Sequence, residues 1–100
     1  MPARIDIDRE KIAAFCRRHR IRRLSLFGSV LRDDFGPDSD VDVLVEFEPG
    51  ARVSLLDVGG MAHELSEMIG RPVDLRTERE LSRYFRQEVV DAAEPLYAAG

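Results

Sequence analysis

Asp40-Val41-Asp42 sets two carboxylates one residue apart, and ten residues upstream the apolar run Leu24-Ser25-Leu26-Phe27 ends in Gly28-Ser29. On an extended strand, residues i and i+2 leave the same face with Cα atoms roughly 6.5–7 Å apart. Asp40 and Asp42 therefore point into one volume. Two such carboxylates suit a pair of Mg²⁺ ions about 3.5–4 Å apart, the arrangement that clamps attacking and leaving oxygens in a displacement at phosphorus. Mg²⁺ needs only one or two protein carboxylates when phosphates complete its shell. The Gly-Ser step supplies the other half. Glycine lets the backbone approach a ligand closely, and a serine at the mouth of a helix adds a hydroxyl to N–H groups that favour anions. Gly28 and Ser29 are thus candidate ligands for a triphosphate.

Two further side chains belong to this candidate site. Arg32, three residues after Ser29, can reach a phosphate or hold Asp38 or Asp40, with an ordinary surface ion pair as the alternative. Asp74 stands between Val73 and Leu75 in a short apolar stretch, where an unpaired carboxylate is costly. It should meet a metal ion, as third carboxylate, or a basic neighbour, Arg71 or Arg76.

The elements that position these residues follow from spacing. Parallel strands need a crossover of about a dozen residues or more, and the ten residues between Ser29 and Asp40 are too few. Strands over 23–27 and 41–47 are therefore predicted to be antiparallel neighbours, which brings Gly28 and Ser29 beside Asp40 and Asp42. Val41, Val43 and Val45 should face the core, and Asp42, Leu44 and Glu46 the site. Asp8 is predicted to cap a helix from about Arg9 to Arg20, with Ile12, Phe15 and Cys16 inward. A second helix runs from about Ser54 to Ile69 on the stripe Leu55, Val58, Ala62, Leu65 and Ile69. Within it Gly59-Gly60 costs about 1 kcal/mol per residue against alanine, which predicts a break or a close backbone contact. Gly70 reads as its C-cap and residues 72–75 as a short strand. Thr77 should start a last helix to about Ala92 through Leu81, Phe85 and Val89, followed by a tail or short extended piece at 95–97.

Composition bounds the function. One hundred residues with 44% apolar and 34% charged side chains predict a single small α/β domain over 1–100. The sequence contains no bilayer-length apolar run, and its first residues lack the apolar core of a signal peptide, so a cytoplasmic protein without a membrane partner is expected. Cys16 alone excludes an internal disulfide and a cysteine zinc site, and reads as a small core residue. The net charge of −4 argues against a nucleic-acid substrate. Arg17, Arg18, Arg20, Arg22 and Arg23 read as a solvated helix end, and His63 as a surface residue.

Gly-Ser, ten residues, then Asp-x-Asp, with Arg32 three beyond the serine and Ser39 before the first aspartate, resembles the DNA polymerase β-like nucleotidyltransferase superfamily, in particular its minimal branch. The likeness covers nearly the whole chain. It implies a polymerase β-like nucleotidyltransferase fold, a small mixed sheet flanked by helices, two Mg²⁺ ions, and transfer of a nucleoside monophosphate from ATP or another NTP to a hydroxyl. By that likeness Gly28 and Ser29 hold the terminal phosphates, Asp40 and Asp42 the metals, and Asp74 the metal that activates the acceptor. It further implies a partner, a HEPN ribonuclease toxin modified on tyrosine, with this chain as antitoxin in a hetero-oligomer. The pattern departs at Asp33-Asp34, where a small residue is common; these acids either weaken NTP binding or face solvent. Two readings follow: an enzyme acting on its partner, favoured by the three carboxylates, or a non-catalytic antitoxin that neutralises the partner by covering it. An unrelated small metal-binding or regulatory α/β domain stands third.

Overall fold

Asp8 starts the first helix as its position predicts: Oδ1 accepts from the backbone N–H groups of Glu10 at 3.0 Å and Lys11 at 3.3 Å. The computed structural model describes residues 7–28, 36, 39–81, 83–84 and 86–99. In it α1 spans Arg9–Arg18 and buries Ile12, Phe15 and Cys16. Burial pushes the Cys16 thiol up to about 12, against the smaller opposing charge of Arg17, so the side chain packs as a neutral hydrophobe. The helix ends short of Arg20 because that residue takes a left-handed backbone, φ 56°. The turn feeds β1, Ile21–Phe27, earlier than the spacing predicts.

Strand β2, Val41–Phe47, runs antiparallel to β1 with Phe27 opposite Asp42. Strand β3, Val73–Thr77, lies parallel to β2 with Asp42 opposite Asp74. The C-terminal piece is a full strand, β4, Glu94–Ala98, on the other edge of the sheet, where Pro95 is tolerated. The four-stranded mixed sheet has the order β3-β2-β1-β4. Its core face carries Leu24, Leu26, Val41, Val43, Val45 and Leu75, packed with α1 and with Met61 and Leu65 of the second helix, α2, Leu55–Ile69.

Two expectations for α2 need correction. Leu55 is 91% exposed and Leu56 88%. Val53 and Val58, which flank the Ser54 cap at the positions of a hydrophobic staple, pack against the core instead and leave the intervening turn outside. Gly59-Gly60 makes neither a break nor a close contact: the helix is continuous, and a Cβ on either glycine would meet nothing within 4 Å. Alanine at each should therefore stabilise the protein by roughly 0.5–1 kcal/mol, read as a higher urea midpoint at constant m-value.

The predicted last helix is also interrupted. Thr77 opens only a 3-10 turn, Glu78–Glu80, its N–H donating to Glu80 Oε1 at 3.2 Å. Leu81 is extended, and the Arg86 guanidinium fixes the break by donating to the Leu81 carbonyl at 3.2 Å. The helix proper, α3, is Arg86–Ala92; Phe85 lies outside the described residues. Among the described residues no helix is long and apolar enough to cross a membrane.

Candidate functional site

Gly28 follows the last residue of β1 with φ 74°, a conformation that favours glycine. A Cβ there would overlap Asp42 Oδ2 and sit 3.1 Å from Asp42 Cγ. The missing side chain thus makes room for a site carboxylate, a role the sequence reading, which assigned the space to phosphates, did not include. The predicted partners Ser29 and Arg32 lie outside the described residues, as do Asp33, Asp34 and Asp38.

Asp40 is exposed just before β2, and Asp42 is half-buried one pleat further on. Because β2 and β3 are in register at Asp42 and Asp74, the two carboxylates leave the same face of adjacent strands, which are about 4.8 Å apart. The chain enters β2 through a braced turn. Ser39 Oγ accepts from Gly36 N–H at 3.0 Å, and Arg71 Nη2 donates to the Gly36 carbonyl at 2.6 Å. Ser39, read in the sequence as part of the motif, and Arg71, read as a candidate partner of Asp74, are positioning residues for this turn; only the fold places position 71 beside position 36.

Of the two partners expected for Asp74, the structure selects Arg76. Its Nε donates to Asp74 Oδ1 at 3.0 Å and its Nη2 to Oδ2 at 3.3 Å. The Arg76 pKa is raised by these hydrogen bonds and the Asp74 charge, with Glu80 and Asp42 adding to the effect. One guanidinium therefore sits in the field of three carboxylates. Among the described residues no three His, Cys, Asp or Glu side chains are gathered closely enough to hold a metal ion. Asp42 and Asp74 are nevertheless all-oxygen donors on one face, a set that fits a hard cation whose shell phosphate oxygens complete.

The basic run is matched by acids: Arg18 pairs with Glu64, Arg20 with Glu48 at 3.8 Å, and Arg22 and Arg23 with Glu46 at 3.8 and 3.9 Å. Its reading as a solvated surface agrees with this pairing. His63 is exposed and pairs with Glu67 at 3.1 Å.

The sequence profile of the nucleotidyltransferase domain family matches residues 9–95. A Methanocaldococcus jannaschii protein named "Putative protein adenylyltransferase MJ0435" is 34% identical over 85 residues, 85% of this chain and 89% of its own length. A second from that organism, "Putative protein adenylyltransferase MJ1217", is 27% identical and covers 74% of each chain. A solved structure described as a "putative minimal nucleotidyltransferase" superposes with TM-score 0.72 at 39% identity, covering 87% of both chains. The same fold recurs at TM-score 0.73 and 23% identity in a toxin-antitoxin crystal structure with AMP-PNP, over 93% of this chain and 75% of that one. It recurs again at 0.65 and 24% in a complex of tri-AMPylated Shewanella oneidensis HEPN toxin with MNT antitoxin, over 91% and 70%. With its glycine turn set against opposed carboxylates on a mixed sheet, the chain belongs to the nucleotidyltransferase domain family, in its minimal, polymerase β-like branch.

Proposed function

We propose that this protein is a Mg²⁺-dependent protein adenylyltransferase that moves AMP from ATP onto a tyrosine hydroxyl of a HEPN-type toxin, and so acts as a cytoplasmic antitoxin. The observation that carries this reading is the meeting of Gly28, Asp42 and Asp74 on three adjoining strand segments. The names of the sequence relatives and the toxin-antitoxin assemblies of the structural neighbours support the acceptor class.

In this reading Gly28 and Ser29 receive the terminal phosphates, Arg32 neutralises them, and Asp40, Asp42 and Asp74 hold the cations. Mg²⁺ when bound supplies charge neutralisation and lowers the pKa of the attacking hydroxyl. The acceptor hydroxyl gives its proton to solvent as its oxygen bonds to the α-phosphorus, the bond from that phosphorus to the bridging oxygen breaks, and pyrophosphate leaves. Asp42 and Asp74 stand opposed on adjacent strands, and Arg76 offsets part of their repulsion and holds Asp74 aligned.

That Arg76 contact yields a separate prediction. The pair is partly exposed, with side chains 46% and 40% accessible, and solvent-screened pairs of this kind contribute little to stability. Arg76→Ala should therefore barely alter the unfolding midpoint yet tighten Mg²⁺ binding several-fold, as titrated with a nonhydrolysable NTP present. Unchanged Mg²⁺ affinity would make Asp74 a structural residue.

A second reading has a specific observation in its favour: Asp74 is already satisfied by Arg76, and no three-ligand cluster is formed among the described residues. A vestigial site would leave an antitoxin that works by binding alone. The deciding experiment incubates the chain with its HEPN partner, ATP and Mg²⁺ and measures the partner's intact mass. Whole AMP increments on a tyrosine are expected; a stable complex without added mass would replace the enzyme reading by the second.

A further inference from the structure

Helix α2 buries Met61 and Leu65 against the sheet and turns a second stripe, Leu56, Gly60, His63 and Glu67, away from it. These four residues recur every three or four positions, so they lie on one line along the helix. Leu55 and Gly59 flank that line. Leu55 and Leu56 are 91% and 88% exposed, side by side. The double glycine is as unusual: it costs helix propensity, and a Cβ on either residue would meet nothing within 4 Å.

We infer that this face docks a second copy of the chain, whose α2 runs antiparallel and crosses at Gly59-Gly60. Charge complementarity selects that occupant. A two-fold axis between the two glycines sets opposite one another residues equally far from it, as a self-complementary interface requires. Leu56 then comes level with the second copy's His63, and Arg52 with the second copy's Glu67. Arg52 is exposed and makes no ion pair among the described residues. Glu67 is held only by His63 of its own helix, an exposed contact at 3.1 Å. The symmetry forms the Arg52–Glu67 pair twice, once at each end of the crossing.

The glycines gain a purpose in this arrangement. Helices packed through ordinary side chains stand about 8–10 Å apart; without Cβ atoms at the crossing the backbones approach more closely, and the leucines of each copy cover the glycines of the other. The stripe also borders an open cavity of about 670 Å³, lined by Arg52, Leu56, Gly60 and Met61 among others, which the second helix would roof. The gain expected above for alanine at these glycines is a property of the single chain. Asp42 and Asp74 lie on the face of the sheet away from α2, so the pair keeps both clefts open and the inference does not depend on the reaction carried out there. A helix of 15 residues is about 22 Å long, and two of them crossing cover less than the roughly 800 Å² per partner of a standard interface. The dimer should accordingly form at micromolar concentrations or above. The net charge of −4 on each copy opposes it at low salt.

Sedimentation equilibrium of the full chain, alone and at rising concentration in physiological salt, reads the association directly. The wild type should pass from one copy to two. Gly60→Leu should weaken the dimer at least tenfold; leucine favours a helix over glycine, and an unchanged circular dichroism spectrum would show that the fold is kept. Arg52→Glu and Glu67→Arg should each weaken it several-fold, and the two combined should restore it, because the pair reforms between copies with its signs exchanged. A wild type that stays single at every concentration overturns the proposal. So does a dimer insensitive to Gly60→Leu, or one whose charge reversals do not cancel in combination. If the wild type is monomeric and Gly60→Leu abolishes its complex with a HEPN-type partner, the face belongs to another protein and the proposal falls.

Discussion

Gly28→Ala is expected to lower nucleotidyl transfer by about a hundredfold or more while destabilising the fold by about 1–2 kcal/mol. Two separate effects meet at this position. The left-handed backbone, φ 74°, disfavours any L side chain, which accounts for the stability loss. The added Cβ would also overlap Asp42 Oδ2, so the carboxylate must swing away from its place opposite Asp74. Displacement of a site group by about 1 Å suffices for a hundredfold loss. Gly50 separates the two effects: its φ is 83°, but a Cβ there would meet nothing within 4 Å. Gly50→Ala should lose similar stability and keep its activity. Initial rates of AMP incorporation and urea midpoints on both variants decide the matter, and equal activity in the two would show that the Gly28–Asp42 contact does not matter to function.

That contact also shows how far a sequence can be read. The antiparallel pairing of β1 and β2 was legible because ten residues cannot make a parallel crossover, and alternation then sorted Val41, Val43 and Val45 from Asp42. Gly28 beside Asp42 follows from that pairing. Its steric reason does not, since it depends on φ and on side-chain reach. Arg76 was visible as a neighbour of Asp74, yet the choice between Arg71 and Arg76 needed the contact that draws Arg71 to the Gly36 carbonyl. The last helix misled because Leu81 and Val89 keep helical spacing across a break made by the Thr77–Glu80 and Arg86–Leu81 contacts. Leu55 misled for a related reason: it shares a helical phase with Ala62, but the Val53–Val58 staple fixes which turn meets the core. Periodicity reports which side chains can face inward together; it does not report where a helix starts to touch the sheet.

Asp40→Asn combined with Asp42→Asn should reduce transfer by about a thousandfold or more, since two of the carboxylates proposed to hold cations become neutral amides. The fold should survive. Asp40 is exposed and Asp42 lies on the face away from the core, and neutralising Asp42 trades its repulsion of Asp74 on the adjacent strand against its attraction to Arg76. The melting temperature should therefore stay nearly level. Binding and catalysis then come apart: the variant should still form a complex with the HEPN-type partner but add no mass to it. Wild-type treatment makes a difference that outlasts the complex. Partner treated with wild type, ATP and Mg²⁺ and then purified away should remain inactive as a ribonuclease, because a covalent AMP stays on it, whereas partner separated from the double variant should recover full activity. Ribonuclease assays on the two separated samples read this directly. Full recovery after wild-type treatment would mean that occlusion alone silences the partner, and the opposed carboxylates would then have no part in the proposed antitoxin action.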